Sequence, residues 1–184
     1  MTEYEERLIN ILKEDSYIVS ILQTVETLEL NDCWVAAGLI RNKVWDTLQN
    51  SHTKINDIDV IYYDQTDLSK DTEKKLEAEL EKLMPGQPWS VKNQARMHIK
   101  NTNPPYTSSS DGVAHFPETP TAVAAQIRHQ EIKIMAPYGL VDLFQGIVKP
   151  TPYYLKETKL HSVYVKRMKN KNWKNTWKNL TIEY

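Results

Sequence analysis

Two aspartates separated by one residue, Asp57 and Asp59, carry the clearest chemical signal in this sequence. They lie in an apolar segment, Ile55 to Tyr63, whose alternating pattern predicts a β-strand. Residues i and i+2 of a strand project from the same face, so both carboxylates can converge on one point. Carboxylates, phosphate oxygens and water are the ligands that Mg²⁺ prefers. The pair therefore predicts a magnesium site suited to phosphoryl or nucleotidyl transfer.

A second segment, Ala37 to Asn42, is typical of a phosphate-binding turn. Gly38 precedes a helix predicted from about Leu39 to Leu48. A glycine at a helix start lets a triphosphate approach the backbone, and the first free N–H groups point at it. Arg41, one turn into the helix, offers a planar guanidinium to a phosphate.

The spacing of the two aspartates is not specific by itself. With 26% charged residues, such a triplet arises on the order of once in a chain of this length. The range 77–79 repeats the spacing with glutamates in a predicted helix, where i and i+2 do not face each other. Alone, Asp57 and Asp59 fit a solvated strand face better than a metal site, and their position after Gly38 to Asn42 favours the functional interpretation.

Helices and strands alternate along the chain, which predicts an α/β (α+β) fold with a mixed sheet flanked by helices. A helix between Asp59 and the next strand permits those two strands to run parallel. Residues 100–121 hold four of the nine prolines and predict a long surface loop. The other predicted helices cover 4–30, 69–84, 121–127 and 139–147, and the other strands cover 32–37, 89–99 and 131–136.

The length of 184 residues fits one domain. We predict a main body over residues 1–150, with N-terminal helices, and a basic, aromatic appendage of the same domain over 151–184. The net charge of −1 favours neither nucleic acid nor a membrane as a global partner. In the tail, Trp173 and Trp177 lie one helical turn apart among lysines. They suit either stacking on single-stranded nucleic acid or packing against the domain.

The sole cysteine, Cys33, excludes an intrachain disulfide and fits a reducing cytoplasm. No signal peptide and no apolar run long enough to span a bilayer are visible, so we expect a cytoplasmic protein without a membrane partner. The five histidines show no metal-ligand spacing with one another or with Cys33, which argues against a zinc site.

The segment Ala37 to Asn42, followed by Asp57 to Asp59, resembles the Gly-Gly-x-x-Arg-Asp and Asp-x-Asp signature of CCA-adding enzymes and poly(A) polymerases. These enzymes belong to the DNA polymerase beta-like nucleotidyltransferase superfamily. The range 34–149 also resembles a family of small bacterial nucleotidyltransferase-like proteins. It does so through Trp34, Trp45, Asn93 to His98, Ala136 to Leu140 and Asp142 to Phe144.

This resemblance implies the head fold of the superfamily and Mg²⁺ bound by Asp57 and Asp59, which would also be the catalytic residues. It places Gly38, Leu39, Arg41 and Asn42 at the nucleotide. The implied reaction is transfer of a nucleoside monophosphate from a nucleoside triphosphate to an acceptor that the sequence does not name.

The stretch from Asn93 to His98 puts polar side chains in a predicted strand. Arg96 could meet the triphosphate and His98 could carry a proton, and Asn93 belongs to the same implied nucleotide site. A hydrogen-bonded edge strand is an equally good interpretation of the stretch.

The sequence departs from the signature at Ala37 and Asn42, where the family pattern has glycine and aspartate. The third carboxylate of the superfamily is also missing from the predicted strand over 89–99, where Asn93 stands near its place. Glu131, Asp111 and Glu118 are left as candidates, and a second Mg²⁺ is expected only if one of them serves.

No long helical body of the kind that holds transfer RNA follows the head, so that acceptor is not implied. The alternative is a catalytically degenerate fold that binds a nucleotide, RNA or a protein. Base preference and oligomeric state are not determined by the sequence.

Overall fold

A mixed five-stranded sheet lies at the centre of the computed structural model, which describes residues 2–184. Its strand order is β3-β2-β1-β4-β5. The neighbours β2 and β3 run parallel, and the other pairs are antiparallel. The strands are β1 (Trp34–Ala36), β2 (Ile58–Tyr62), β3 (Trp89–Asn93), β4 (Ala124–Arg128) and β5 (Glu131–Met135). The predicted mixed α/β class is confirmed.

Most helices pack on one face of this sheet, and the helix Ser109–Ala114 contributes Val113 to an apolar cluster on the other face. The first two have side-chain caps, because Thr2 accepts a hydrogen bond from the Glu5 N–H and Asp15 accepts one from the Ile18 N–H. The helices are α1 (Glu3–Lys13), α2 (Ser16–Glu26), α3 (Gly38–Gln49), α4 (Lys70–Leu83), α5 (Gln94–Met97), α6 (Ser109–Ala114), α7 (Val141–Gln145), α8 (His161–Lys171) and α9 (Trp173–Thr176). Among these helices of residues 2–184, none combines the length and apolar character that a bilayer crossing requires.

The two faces of the sheet differ, because side chains alternate along each strand. Val35 and Val60 point into the main core beneath the helices. Ala36 and Ile61 point the other way, into a smaller apolar cluster. Asp59 pairs with Ala36 across the ladder and therefore lies on this second face.

The helix α4 carries the chain from β2 to the parallel strand β3. Ser69 caps its start, the buried Glu73 accepts a hydrogen bond from the Asn93 N–H of β3, and Leu80 packs into the main core. A parallel pair needs such a crossover connection. The predicted parallel arrangement after Asp59 is therefore confirmed.

Three predicted elements differ from the structure. The strand expected over 89–99 ends at Asn93, because the side chain of Asn93 accepts a hydrogen bond from the Ala95 N–H and starts α5. The helix expected over 121–127 is wrong, because Ala124 and Ala125 pair with β1 and β5 and extend as strand β4. The loop expected over 100–121 contains α6, which Ser108 caps.

Residues 151–184 pack into the main core of the molecule. Tyr164, Trp173, Trp177 and Leu180 are all buried there. The two tryptophans meet the ring of Trp45 edge-on, at centroid distances of 5.4 and 5.0 Å. A short strand β7 (Thr181–Ile182) pairs in parallel with β6 (Ile147–Val148). With both indole rings buried, the packing interpretation of the tail tryptophans holds.

Candidate active site

The turn from β1 into α3 places an alanine, not a glycine, in the left-handed region. Ala37 has φ 58° and ψ −118°, a conformation that costs an L-residue about 1–3 kcal/mol. Its N–H donates to the Val123 carbonyl at 2.8 Å, and its carbonyl accepts from the Arg41 N–H at 3.0 Å. These bonds hold the strained turn and direct the start of α3.

Gly38 is the first residue of α3 and lies beside the aspartate segment. A Cβ at this position would be 3.7 Å from Oδ1 of Asp57 and 3.8 Å from Nη2 of Arg41. The first helical bond is made by the Arg41 N–H, so the N–H groups of Gly38, Leu39 and Ile40 have no acceptor within the helix. The side chain of Leu39 is buried, so this residue offers the cleft its backbone.

Asp57 and Asp59 form a carboxylate pair on the second face of the sheet. Burial raises the pKa of Asp59 to about 6, the charge of Asp57 adds to the rise, and Ser90, Lys92 and Arg41 offset part of it. Among residues 2–184, neither carboxylate forms an ion pair. Two neighbouring carboxylates without an ion-pair partner fit a hard divalent cation such as Mg²⁺.

The strand next to this pair supplies no third acid. In the parallel ladder Asp59 lies opposite Ser90, and Lys92 is the next residue of β3 on that face. Lys92 bonds to Glu77 at 3.3 Å, on the side of α4. A hydroxyl and an ammonium group therefore stand where a third metal-binding carboxylate was expected.

The other predicted acids are placed elsewhere. Glu118 is fully buried and paired with Arg167. Asp111 lies in α6 and accepts a hydrogen bond from the Thr107 N–H at 2.9 Å. Glu131 lies opposite Arg128 in the strand register at the turn of the β4–β5 hairpin. Across residues 2–184, no group of three or more acidic, histidine or cysteine side chains is placed to hold a metal ion.

Arg41 is a buried cation without a carboxylate partner in the described chain. Its Nη1 donates to Oγ1 of Thr121 and its Nη2 to Oδ1 of Asn42, both at 2.8 Å. Its guanidinium lies 4.3 Å from the ring centroid of Trp173. Burial lowers the pKa of Arg41 to about 10, with a further lowering from Arg167. Asn42 orients the guanidinium but carries no charge. An aspartate at that position would also neutralise it.

The start of α3, Arg41 and Asp57 line one cleft of about 1530 Å³ between α3, the loop before β2 and the C-terminal helices, whereas Asp59 is not among its lining residues. The structure brings Gly38, Leu39, Arg41, Asn42 and Asp57 together in its lining, and their contact with a nucleotide stays a prediction. It adds Lys171, Trp173 and Thr176 from the tail. Nothing in the sequence distinguishes Lys171 from the other lysines after residue 150, where lysines are generally in excess.

Asn93, Arg96 and His98 are not among the residues that line this cleft. Asn93 is fully buried, and its Oδ1 also accepts the Asp64 N–H at 3.1 Å. Arg96 donates through Nε to the buried Glu73 at 2.7 Å. The His98 ring meets Tyr106 edge-on at 6.0 Å. The first two hold β3 and α5 in place, and the predicted contact of all three with a nucleotide stays a prediction.

Comparison with known proteins identifies the family and the fold. A family model described as nucleotidyltransferase matches residues 23–182. A protein whose NMR structure "reveals a CCA-adding enzyme head domain" is 34% identical, with a TM-score of 0.84 over 97% of this chain and 95% of that one. No curated protein matches significantly.

Two complexes of CCA-adding enzyme, one with CTP and one with ATP, match with TM-scores of 0.61 and 0.60 at 13% identity. These matches cover 95% of this chain but only 43% and 42% of the enzymes, so the chain spans less than half of their length. At this identity they show the shared head fold alone.

Proposed function

This chain belongs to the nucleotidyltransferase family, and we propose that it moves a nucleoside monophosphate from a nucleoside triphosphate to an acceptor hydroxyl. One observation carries the proposal: the free N–H groups at the start of α3 and the Asp57 carboxylate line the same cleft. Oδ1 of Asp57 would lie only 3.7 Å from a Cβ built on Gly38. Phosphoryl-type transfer requires mainly positioning and charge compensation, which these groups provide.

In the proposed reaction the acceptor oxygen forms a bond to the α-phosphorus. The bond from that phosphorus to the oxygen bridging to the β-phosphate breaks, pyrophosphate leaves with the electron pair, and the hydroxyl proton passes to water. The N–H groups of Gly38 and Leu39 donate to phosphate oxygens, and Arg41 offsets their charge. Asp57 and Asp59 hold Mg²⁺, which when bound neutralises charge on the phosphates.

We propose one Mg²⁺ rather than two, because Ser90 and Lys92 occupy the positions of β3 beside Asp59. A positive Lys92 next to the pair disfavours a second cation on electrostatic grounds. Titration of Mn²⁺, a spectroscopic substitute for Mg²⁺, should then show one bound ion per chain by electron paramagnetic resonance. Two bound ions of equal affinity would contradict the assignment.

A second candidate is a nucleotide-binding module that does not transfer. A different observation favours it: among residues 2–184, no group of three acidic, histidine or cysteine side chains is placed to hold a metal ion. RNA or a protein would then be a partner rather than a substrate.

Cys33, whose thiol pKa burial raises to about 12, is no alternative nucleophile. A free buried thiol suits the reducing cytoplasm that we propose as its compartment.

Two measurements separate these functions. Calorimetry with Mg-ATP and Mg-CTP should show binding to the wild type and at least tenfold weaker binding to Asp57→Asn and Asp59→Asn. Equal affinities would contradict the metal role. Incubation of a cell extract with the protein and a triphosphate labelled at the α-phosphate should label the acceptor, whereas a γ-label should not.

The double variant Asp57→Asn/Asp59→Asn is the control for the labelling experiment. Nuclease or protease treatment of the labelled product then gives the class of acceptor. Tight binding of Mg-ATP by the wild type without transfer of the α-label would favour the binding module.

A further inference from the structure

Three cationic side chains gather where α8 ends beside the cleft: Arg41, Arg167 and Lys171. Only Arg167 has a carboxylate partner, because its Nε and Nη2 both donate to Glu118. Within residues 2–184, neither Arg41 nor Lys171 forms an ion pair. The cluster therefore holds more positive charge than its own carboxylate balances.

The cations are close to one another and to the aspartates. The ring of Trp173 lies 4.3 Å from the Arg41 guanidinium and 5.9 Å from that of Arg167. Burial lowers the pKa of Lys171, and Arg167 and Arg41 lower it further, whereas Asp57 and Glu118 act in the opposite direction. Lys171 is thus close enough to interact electrostatically with both guanidinium groups and with Asp57, the proposed metal ligand.

The backbone of Lys171 is held in place although its side chain reaches the cleft. Met168 is buried before it and Trp173 after it. Asn172, with φ 50°, turns the chain between α8 and α9. A surface lysine on such a fixed backbone loses less freedom on binding an anion than one on a mobile tail.

We propose that Lys171, together with Arg41, binds the two terminal phosphates of the triphosphate and the pyrophosphate released from it. This inference rests on the proposed function and assigns to the C-terminal helix one side of its phosphate site. An anion with several charges would balance the two unpaired cations, and the terminal phosphates are the most highly charged part of the substrate. Lys171 would then act on substrate binding and not on the attacking hydroxyl.

The test uses inorganic pyrophosphate, Mg-ATP and AMP as probes in calorimetry with the full chain. Lys171→Gln should weaken pyrophosphate and Mg-ATP binding about tenfold or more, because a charge-assisted contact is lost. Binding of AMP, which lacks the terminal phosphates, should not change. Lys171→Arg should restore most of the affinity. Lys174→Gln is the matched control, because Lys174 is exposed on α9 and does not line the cleft.

A purely structural role is tested by the thermal unfolding midpoint without ligand. Lys171→Gln should leave it unchanged or raise it, because the substitution removes a positive charge beside Arg41. A lower midpoint together with weaker binding of all three probes would overturn the inference in favour of a structural role.

The outcomes also separate the inference from the proposed function. If the wild type binds pyrophosphate and Lys171→Gln binds it equally well, or if Lys174→Gln weakens binding by the same factor, the inference fails alone. If Lys171→Gln loses pyrophosphate binding while Asp57→Asn leaves Mg-ATP binding unchanged, the metal role fails and the inference stands. If the wild type binds neither pyrophosphate nor Mg-ATP, both fail.

Discussion

Gly38 and Asp57 face each other so closely that a Cβ on Gly38 would lie 3.7 Å from the Asp57 Oδ1. The space between them admits a methyl group at ordinary contact distance. The fold itself leaves room for a side chain here, and under the proposed function the glycine gives the phosphates access to the backbone.

We predict that Gly38→Ala separates folding from function. The free energy of unfolding should stay within about 1 kcal/mol of the wild type or rise, because Gly38 begins a helix and alanine favours helix. The affinity for Mg-ATP should fall at least tenfold, because the methyl group occupies the proposed phosphate position. Urea unfolding and calorimetry measure the two quantities. An unchanged affinity would remove Gly38 from the nucleotide site.

Ala37→Gly should stabilise the protein. Relief of the strain at φ 58° is worth about 1–3 kcal/mol, and the extra freedom of glycine in the unfolded chain costs about 0.5–1 kcal/mol. The difference favours a gain of roughly 1 kcal/mol in urea unfolding. Ala37→Val serves as the opposite control and should destabilise. Lower stability of the glycine variant would mean that Ala37 is not strained.

Stability should depend on pH through Asp59, whose pKa is raised from 3.8 to about 6 in the folded state. The folded state holds this proton more tightly than the unfolded chain, so stability is highest below pH 4 for this group. It falls as the pH rises through 6. Asp59→Asn lacks that fall and should exceed the wild type by about 1–3 kcal/mol at pH 7 and match it near pH 4. Parallel pH curves would contradict the shift.

At pH 7, added Mg²⁺ should raise the unfolding midpoint of the wild type and not that of Asp59→Asn. A bound ion stabilises the folded state only if the site can hold it. The same midpoint shift in both proteins would show that the ion binds elsewhere.

Arg96→Gln should destabilise the protein by roughly 3 kcal/mol, because it leaves the buried Glu73 carboxylate unpaired. The affinity of the folded protein for Mg-ATP should not change, since Arg96 does not line the cleft. Lys149, whose ammonium group pairs with Asp142 and whose side chain is 42% exposed, provides a control, and Lys149→Gln should cost less than about 1 kcal/mol. A weaker nucleotide affinity at unchanged stability would return Arg96 to the nucleotide site.

Removal of residues 151–184 should abolish cooperative unfolding. Trp173, Trp177 and Leu180 fill the main core, and Trp177 also donates through Nε1 to Asp46 at 2.8 Å. Loss of several large buried side chains exceeds the stability of an ordinary domain. Circular dichroism during thermal unfolding of residues 1–150 measures this. A sharp transition in the truncated chain would make the tail a true appendage.

The sequence alone was sufficient for local features. The order of Gly38, Arg41, Asp57 and Asp59 follows from spacing within a single strand–helix–strand unit, and the periodicity of the apolar residues located most of the helices. It was misleading where partners far along the chain decide the conformation. Ala124 and Ala125 favour helix by local propensity, but pairing with two strands extends them.

Tertiary structure alone decided the charge balance of the site. It placed Ser90 and Lys92 beside Asp59, used Asn93 as a helix cap, and paired Glu118 with Arg167 away from the aspartates. It also brought Lys171 from the last helix into the cleft. The sequence determined which groups could bind phosphate and metal, because that depends on chemical type and short spacing. Which of them share one cleft depends on long-range packing, and only the folded chain determines it.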